Sequence, residues 1–321
     1  MKPNPANSPK PKSERLLILS DGKPGHVNQS IAFARHLDLD YDISPVAFKW
    51  RGGKALSYLF SQAHIYISAL FASEINSGCY AAVVSAGSGT YYANRTLARQ
   101  LQCKSVAIML PNGYPLDFDL IVAQQHDNPP VQSNIITIPI NLTYVEPQGL
   151  VTPQPGEKYI SLIIGGDSHH ARMDVELLKS QLNNIFSLFP DHSVWLTTSR
   201  RTSPEVEVML RQFQYDRAVY YSQETINPIA DFLQHSDYVF LTADSSSMIS
   251  EAVSFGKSCV EVLPMTERQL IAGKINQLIR ILVQQGCLAI FDGSVSAKNK
   301  KISLNDVLKQ QNLKYLRLSS L

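Results

Sequence analysis

Short apolar runs that end in glycine-bearing turns recur along the chain, and each is followed by a stretch with a helical period. The first is RLLILS at residues 15–20, which runs into DGKPGH and then VNQSIAFARHL. A strand, a tight loop and a helix in that order open an α/β fold. Residues 41–48 predict a second strand, and YAAVVS at 80–85 a third, leading through AGSGT into the helical TYYANRTLARQL. Residues 104–109 and 120–123 predict two more. That spacing suits a parallel sheet with crossover helices.

The text changes at residues 139–157, PINLTYVEPQGLVTPQPGE, where four prolines and two glycines replace any helical period. Such a stretch reads as a linker. After it the rhythm restarts with YISLII and GGDSHHAR, a helix over 174–188 and the strand SVWLTTS. A helix at 204–213, strand AVYYS, helix IADFLQH, strand YVFLT, a helix at 247–255, strand SCVEVLP and a helical 267–285 complete it. The fold class expected is α/β, with two Rossmann-like domains facing a cleft.

Composition narrows the class. The 321 residues are 44% apolar and 17% charged, too apolar for a disordered chain. A net charge of +2 supplies no basic excess, so nucleic acid is not an expected partner. The small total hides basic ends around an acidic body. Lys2, Lys10, Lys12 and Arg15 face only Glu14 at one end, and Lys298, Lys300, Lys301, Lys309, Lys314 and Arg317 face only Asp306 at the other. Solubilising tails explain such ends, and so does attraction to anionic headgroups.

The four cysteines, Cys79, Cys103, Cys259 and Cys287, form no C-x-x-C motif and sit beside apolar residues, as buried free thiols do. The first residues, MKPNPANSPKPKSE, lack the apolar run of a secretory signal. A cytoplasmic location is expected. Residues 55–72, ALSYLFSQAHIYISALFA, form the most hydrophobic stretch, preceded by Lys49, Trp50, Arg51 and Lys54. Serines, Gln62 and His64 interrupt it, so a spanning helix is excluded in favour of a core helix or one lying in a membrane interface.

Three glycine loops follow strands: Gly22 and Gly25, then Gly87 and Gly89, then Gly165 and Gly166 with Ser168. In open α/β sheets ligands sit beyond the carboxyl ends of strands, where glycines let backbone N–H groups approach anions. Neither G-x-G-x-x-G with a following acid nor G-x-x-x-x-G-K-[ST] is present, which disfavours a dinucleotide or a P-loop nucleotide. Base candidates in the first loop are Asp21 and His26. Asp21 equally suits a turn or helix cap, and His26 a neutral donor to phosphate or an exposed loop residue. Arg200 and Arg201, after the strand SVWLTT, suit a metal-free diphosphate clamp or an exposed pair. His169 and His170 diverge on an extended backbone, so no metal is expected.

The second half carries a closer match. In YVFLTADSSSMISEAVSFGKSCVEVLP, the hydroxyl turn Ser245, Ser246 and Ser247, the helix glutamate Glu251 and the stop Gly256-Lys257 resemble the nucleotide-sugar signature of bacterial peptidoglycan and lipopolysaccharide transferases of the GT-B type. That resemblance implies diphosphate contacts from the turn and ribose contacts from Glu251. The sequence departs from it with Ser258 in place of proline and with Asp244, an added negative charge. SDGKPGHVNQS, IIGGDS, TTSRRT and TADSSSMISEA together resemble the plant elongated-mitochondria fission factor family, whose bacterial members are described as GT-B glycosyltransferases.

The resemblance implies a glycosyltransferase that moves a sugar from a nucleotide diphosphate sugar to a lipid-linked or glycolipid acceptor of the cell envelope, with no metal or other cofactor. Residues 15–145 would form the acceptor domain and 146–290 the nucleotide-sugar domain. Residues 1–14 would be a disordered basic tail, and 291–321 a basic segment returning to the N-terminal domain. Contact with the inner face of the membrane would be peripheral. A nucleotide-sugar 2-epimerase shares the fold but needs a carboxylate cluster that the first half lacks. A non-catalytic membrane adaptor, the role assigned to the plant member, fits the apolar segment and basic ends.

Overall fold

The computed structural model describes residues 15–75, 78–167, 172–266 and 273–310. The tail at 1–14, Ser168, His169, His170 and the basic residues past 310 lie outside the described residues. The chain divides into two compact units, residues 1–144 with 304–321, and residues 145–303. The segment between Ile138 and Tyr159, within which the boundary falls, contains no helix or strand.

Unit 1 is built on a seven-stranded sheet: β1 (Leu16–Ser20), β2 (Tyr41–Phe48), β3 (Phe71–Ser73), β4 (Ala82–Ala86), β5 (Lys104–Ile108), β6 (Leu120–Gln124) and β7 (Ile135–Ile138). Their order is β3-β2-β1-β4-β5-β6-β7, and every pairing is parallel except β2 with β3. Strands β4 to β6 are buried almost throughout because helices cover both faces of a parallel sheet. Helix α1 (Pro24–His36) and α3 (Tyr91–Gln100) supply much of that cover, and Asn94 of α3 bonds its amide to Val83 O, Val106 O and Ser85 Oγ, each at 3.0 Å. A buried NH2 group shared among acceptors on two strands fixes the helix over β4 and β5. Helix α9 (Leu304–Gln310) belongs to this unit too. His36 of α1 meets Asn305 Oδ1 at 3.3 Å and Thr143 O at 2.8 Å.

Unit 2 repeats the plan with β8 (Tyr159–Ile164), β9 (Ser193–Thr198), β10 (Arg217–Val219), β11 (Tyr238–Thr242), β12 (Cys259–Leu263) and β13 (Ala289–Ile290). All six are parallel, in the order β10-β9-β8-β11-β12-β13, the Rossmann arrangement. The carboxylate of Asp231, in helix α6 (Ile229–His235), accepts the N–H groups of Gln148, Gly149 and Leu150 at 2.9–3.0 Å. Three charge-assisted bonds tie the proline-rich segment to this unit.

Three sequence expectations need correction. Helix α1 starts at Pro24 rather than after His26, because a proline at the first helical position already has the required φ and no N–H to satisfy. Residues 55–72 are not one helix. Helix α2 (Gly53–Gln62) stops at a turn where His64 has φ +54°, and the chain then forms the antiparallel edge strand β3. Of the four edge strands among the described residues, β10 is predicted by AVYYS, while β3, β7 and β13 carry too few residues to show a period.

Gly256 ends the helix α7 (Ser246–Ser254) with φ +74°, and a Cβ there would lie 1.9 Å from Leu233 O. Both the left-handed backbone and the backbone contact demand glycine. Gly256→Ala is therefore expected to lower the stability of unit 2 by on the order of 2 kcal/mol or more, read from the midpoint of urea unfolding.

Candidate functional site

In an open parallel sheet the crevice opens where successive strands depart to opposite sides. In unit 1 this point lies between β1 and β4. Asp21 follows β1, and Gly87 and Gly89 follow β4. Gly22 takes φ +78°, which turns the chain into α1 and puts His26 in that helix's first turn. The ring of His26 then reaches back, with Nδ1 at 3.0 and 3.1 Å from the two carboxylate oxygens of Asp21. Asp21 also accepts the Lys23 N–H at 3.3 Å, so turn-making and imidazole-holding coexist in one carboxylate. It does not cap α1, whose N-cap is Lys23.

The two glycines of the neighbouring loop make room for this pair. A Cβ on Gly87 would fall 2.3 Å from the His26 ring, and one on Gly89 would fall 3.2 Å from Asp21. Their bare faces are thus occupied by protein side chains. Gly22 and Gly25, by contrast, meet nothing within 4 Å of an added Cβ. A carboxylate that accepts the Nδ1 proton leaves Nε2 as the basic nitrogen of a neutral imidazole. The arrangement can hold a proton-accepting group in a fixed orientation.

Tyr114 ties the same loop to α2. Its hydroxyl donates to Ser88 O at 3.0 Å and meets Ser57 Oγ at 2.8 Å. Its ring stacks on Tyr58, 4.4 Å between centroids. Sequence reasoning missed this link. The signal was Gly113, which has φ +86° and lies so close to Tyr58 that a Cβ would come within 2.8 Å of its ring.

In unit 2 the order reverses between β8 and β11, and the site is built differently. Asp244, fully buried as a side chain, follows β11 and lies against Gly165, whose Cβ would come within 2.1 Å of its carboxylate. Its oxygens accept from Thr242 Oγ1 at 2.6 Å, Arg201 Nη2 at 2.5 Å and Gly166 N at 3.3 Å. Burial pushes its carboxyl above the ordinary range even against these three bonds. Gly165 N donates to Thr242 Oγ1 at 2.7 Å. The amides expected to cradle phosphate therefore already serve Thr242 and Asp244, and Arg201 is paired with a carboxylate. Asp244 is an internal anion in the place read as a phosphate site. Ser199 and Thr202 lock the TTSRRT turn over β8, with Thr202 Oγ1 donating to Gly165 O and Ile164 O.

The remaining residues expected to contact the nucleotide lie at the start of α7. Ser245 caps it, accepting Met248 N–H at 3.4 Å, so its hydroxyl oxygen has a structural task. Ser246 and Ser247 occupy the first turn, and Ser247 and Glu251 stand one turn apart on the same face. Burial pushes the Glu251 carboxyl up to about 7. Arg200 is exposed beside Arg201. Among the described residues no group of three or more His, Cys, Asp or Glu side chains could hold a metal ion.

Two Rossmann-like units, each with its polar groups at the switch point, define a GT-B-like protein. Among solved structures, a glycotransferase of kitacinnamycin matches 97% of this chain and 94% of its own, with TM-score 0.50 and 11% identity. A Staphylococcus aureus MnaA–UDP co-structure matches with TM-score 0.48 and 14% identity over 95% and 90% of the two chains. MurG of Acinetobacter baumannii follows at 0.46 and 11% over 95% of each. At such identities the likeness is one of fold. The family described as Mitochondrial fission ELM1 matches residues 24–309, and the chain belongs to that family. An uncharacterized protein of Rickettsia prowazekii (strain Madrid E) is 30% identical over 149 residues, which are 44% of this chain and only 40% of that protein's length.

An acid whose folded pKa lies above its unfolded value stabilises the fold while protonated. For Glu251 that contribution is complete below about 4.5 and is lost as pH rises through about 7. Unit 2 is expected to lose stability on the order of 1–3 kcal/mol between about pH 5 and about pH 8. Glu251→Gln should flatten that slope in urea titrations across the range.

Proposed function

We propose that the protein transfers a sugar from a nucleoside diphosphate sugar to a hydroxyl of a lipid-linked or glycolipid acceptor of the cell envelope. It does so without metal, in the cytoplasm at the inner face of the membrane. The observation that carries this reading is the Asp21–His26 pair, held 3.0 Å apart at the switch point of unit 1. His26 Nε2 takes the proton of the acceptor hydroxyl as its oxygen bonds to the anomeric carbon and the bond from that carbon to the phosphate oxygen breaks. Asp21 keeps the ring oriented and stabilises the imidazolium that forms, the role a carboxylate plays behind a catalytic histidine. The departing diphosphate takes hydrogen bonds from the first turn of α7, with Ser246 and Ser247, and from Arg200. Glu251 accepts the ribose hydroxyls.

Calorimetry with UDP, GDP, CDP and CMP on wild type and Glu251→Ala tests the donor half. One nucleoside diphosphate should bind, and the variant should bind it about ten- to a hundredfold more weakly, the worth of hydrogen bonds to a charged group. If none binds, or if Glu251→Ala binds as wild type does, the donor assignment is wrong. The acceptor half is tested in a strain lacking the gene, by the mobility of envelope glycolipids. His26→Ala should fail to restore it and Asp21→Asn should restore it weakly. Full rescue by both would instead favour a non-catalytic membrane adaptor, a reading that the exposed apolar surface of unit 1 supports.

A further inference from the structure

Helix α2 divides its apolar side chains between the core of unit 1 and solvent. The residues it buries are Gly53, Ser57 and Ser61, a row of small side chains at i, i+4 and i+8. Leu59 stands on the opposite side, 66% exposed, while Leu56, Tyr58 and Phe60 are half-buried and pack against the core of the unit. The segments that enter and leave the helix continue the theme, with Trp50 46% exposed before it and Ile65 and Ile67 45% and 42% exposed after it. Scattered exposed apolar residues are ordinary, but an apolar run on one short segment marks a surface that something covers.

Charge identifies the occupant. From Ile43 to Ser73 the sequence contains no aspartate or glutamate, while Lys49, Arg51 and Lys54 are all exposed. Asp117 does approach the far end, at 3.4 Å from His64, and is paired there with Arg95. A protein partner or second copy would have to be both apolar and acidic to complement this segment. A bilayer with anionic headgroups provides both, with the indole and aliphatic side chains at acyl depth and the cations among the phosphates. We infer that the surface from Lys49 to Ile67 is an interfacial docking face for an anionic lipid membrane.

Its place in the fold gives the docking a purpose. Strand β2 runs parallel to β1, so the chain leaves β2 at Phe48 on the same edge of the sheet where Asp21 leaves β1. On the inner side of α2, Ser57 reaches Tyr114, which holds Ser88 of the loop lying against His26. The docking face and the Asp21–His26 pair are two sides of one packed assembly within unit 1. Only this purpose rests on the proposed lipid-linked acceptor; the docking is measured separately.

The test is flotation of the full chain with phosphatidylglycerol–phosphatidylcholine vesicles and with phosphatidylcholine alone, alongside tryptophan emission. Of the two tryptophans, Trp195 is 3% exposed, so a blue shift on adding anionic vesicles reports Trp50. Wild type should float with anionic vesicles and shift. Leu59→Asp with Ile65→Asp should abolish both signals, and each of Lys49→Gln, Arg51→Gln and Lys54→Gln should weaken partition about fivefold. All these positions are exposed, and unchanged circular dichroism and nucleotide calorimetry would confirm folded variants. Equal flotation of variants and wild type would overturn the inference, as would no flotation at all. So would light scattering that shows a dimer lost in Leu59→Asp, which would make the face an interface between copies. Flotation without any nucleotide binding would uphold the docking face and reject only the transferase reading.

Discussion

The contact between a side-chain carboxylate and a glycine that lacks a Cβ organises both halves of this molecule. In unit 1, Asp21 follows β1 and lies over Gly89, which follows β4. In unit 2 the roles of the strands are exchanged. There Asp244 follows β11, the counterpart of β4, and lies over Gly165, which follows β8, the counterpart of β1. Each carboxylate is placed at the carboxyl ends of the central strands, where an open sheet concentrates its chemistry. The difference lies in the partner. An imidazole carries both a donor and an acceptor nitrogen, whereas the guanidinium beside Asp244 only donates. The same packing device thus holds an imidazole–carboxylate pair in one unit and a guanidinium–carboxylate pair in the other.

The central strands were legible because burial on both faces writes them as unbroken apolar runs. RLLILS, YAAVVS, YISLII and YVFLT were each read within a residue or two of β1, β4, β8 and β11. Edge strands leave no such trace. Strand β3 has three residues and β13 two, too few to show alternation, and each exists only because a neighbour offers a ladder. Residues 55–72 failed for a different reason. Hydrophobicity was read as one element, but in α2 the fully buried positions are the small residues Gly53, Ser57 and Ser61, while Leu56, Tyr58 and Phe60 pack on the core half-buried and Leu59 faces solvent.

Glycine positions marked both switch points, yet their purpose was not legible. A glycine that admits a phosphate and one that admits a histidine ring look alike in sequence. Only the second coordinate, the identity of the side chain arriving from another strand, separates them. His26 reaches Gly87 because Gly22 turns the chain and Pro24 starts the helix early, a three-residue effect within the reach of local reasoning. Asp244 reaches Gly165 from a strand 80 residues away in sequence, and no local pattern announces that pairing.

Asp244 also separates the two arginines of the TTSRRT turn. Were Arg201 to turn toward a diphosphate, the carboxylate it leaves is fully buried and would lose its only charged hydrogen-bond partner among the described residues. Stripping a buried charge of its partner costs roughly 3–5 kcal/mol. A hydrogen bond to a charged group returns about 1.5–3 kcal/mol, so the exchange runs uphill while Asp244 is ionised. Arg200, exposed and one residue earlier, faces no such penalty. Adjacent arginines that look equivalent in the sequence are therefore distinguished by a single buried aspartate, which pairs with Arg201 and leaves Arg200 in solvent.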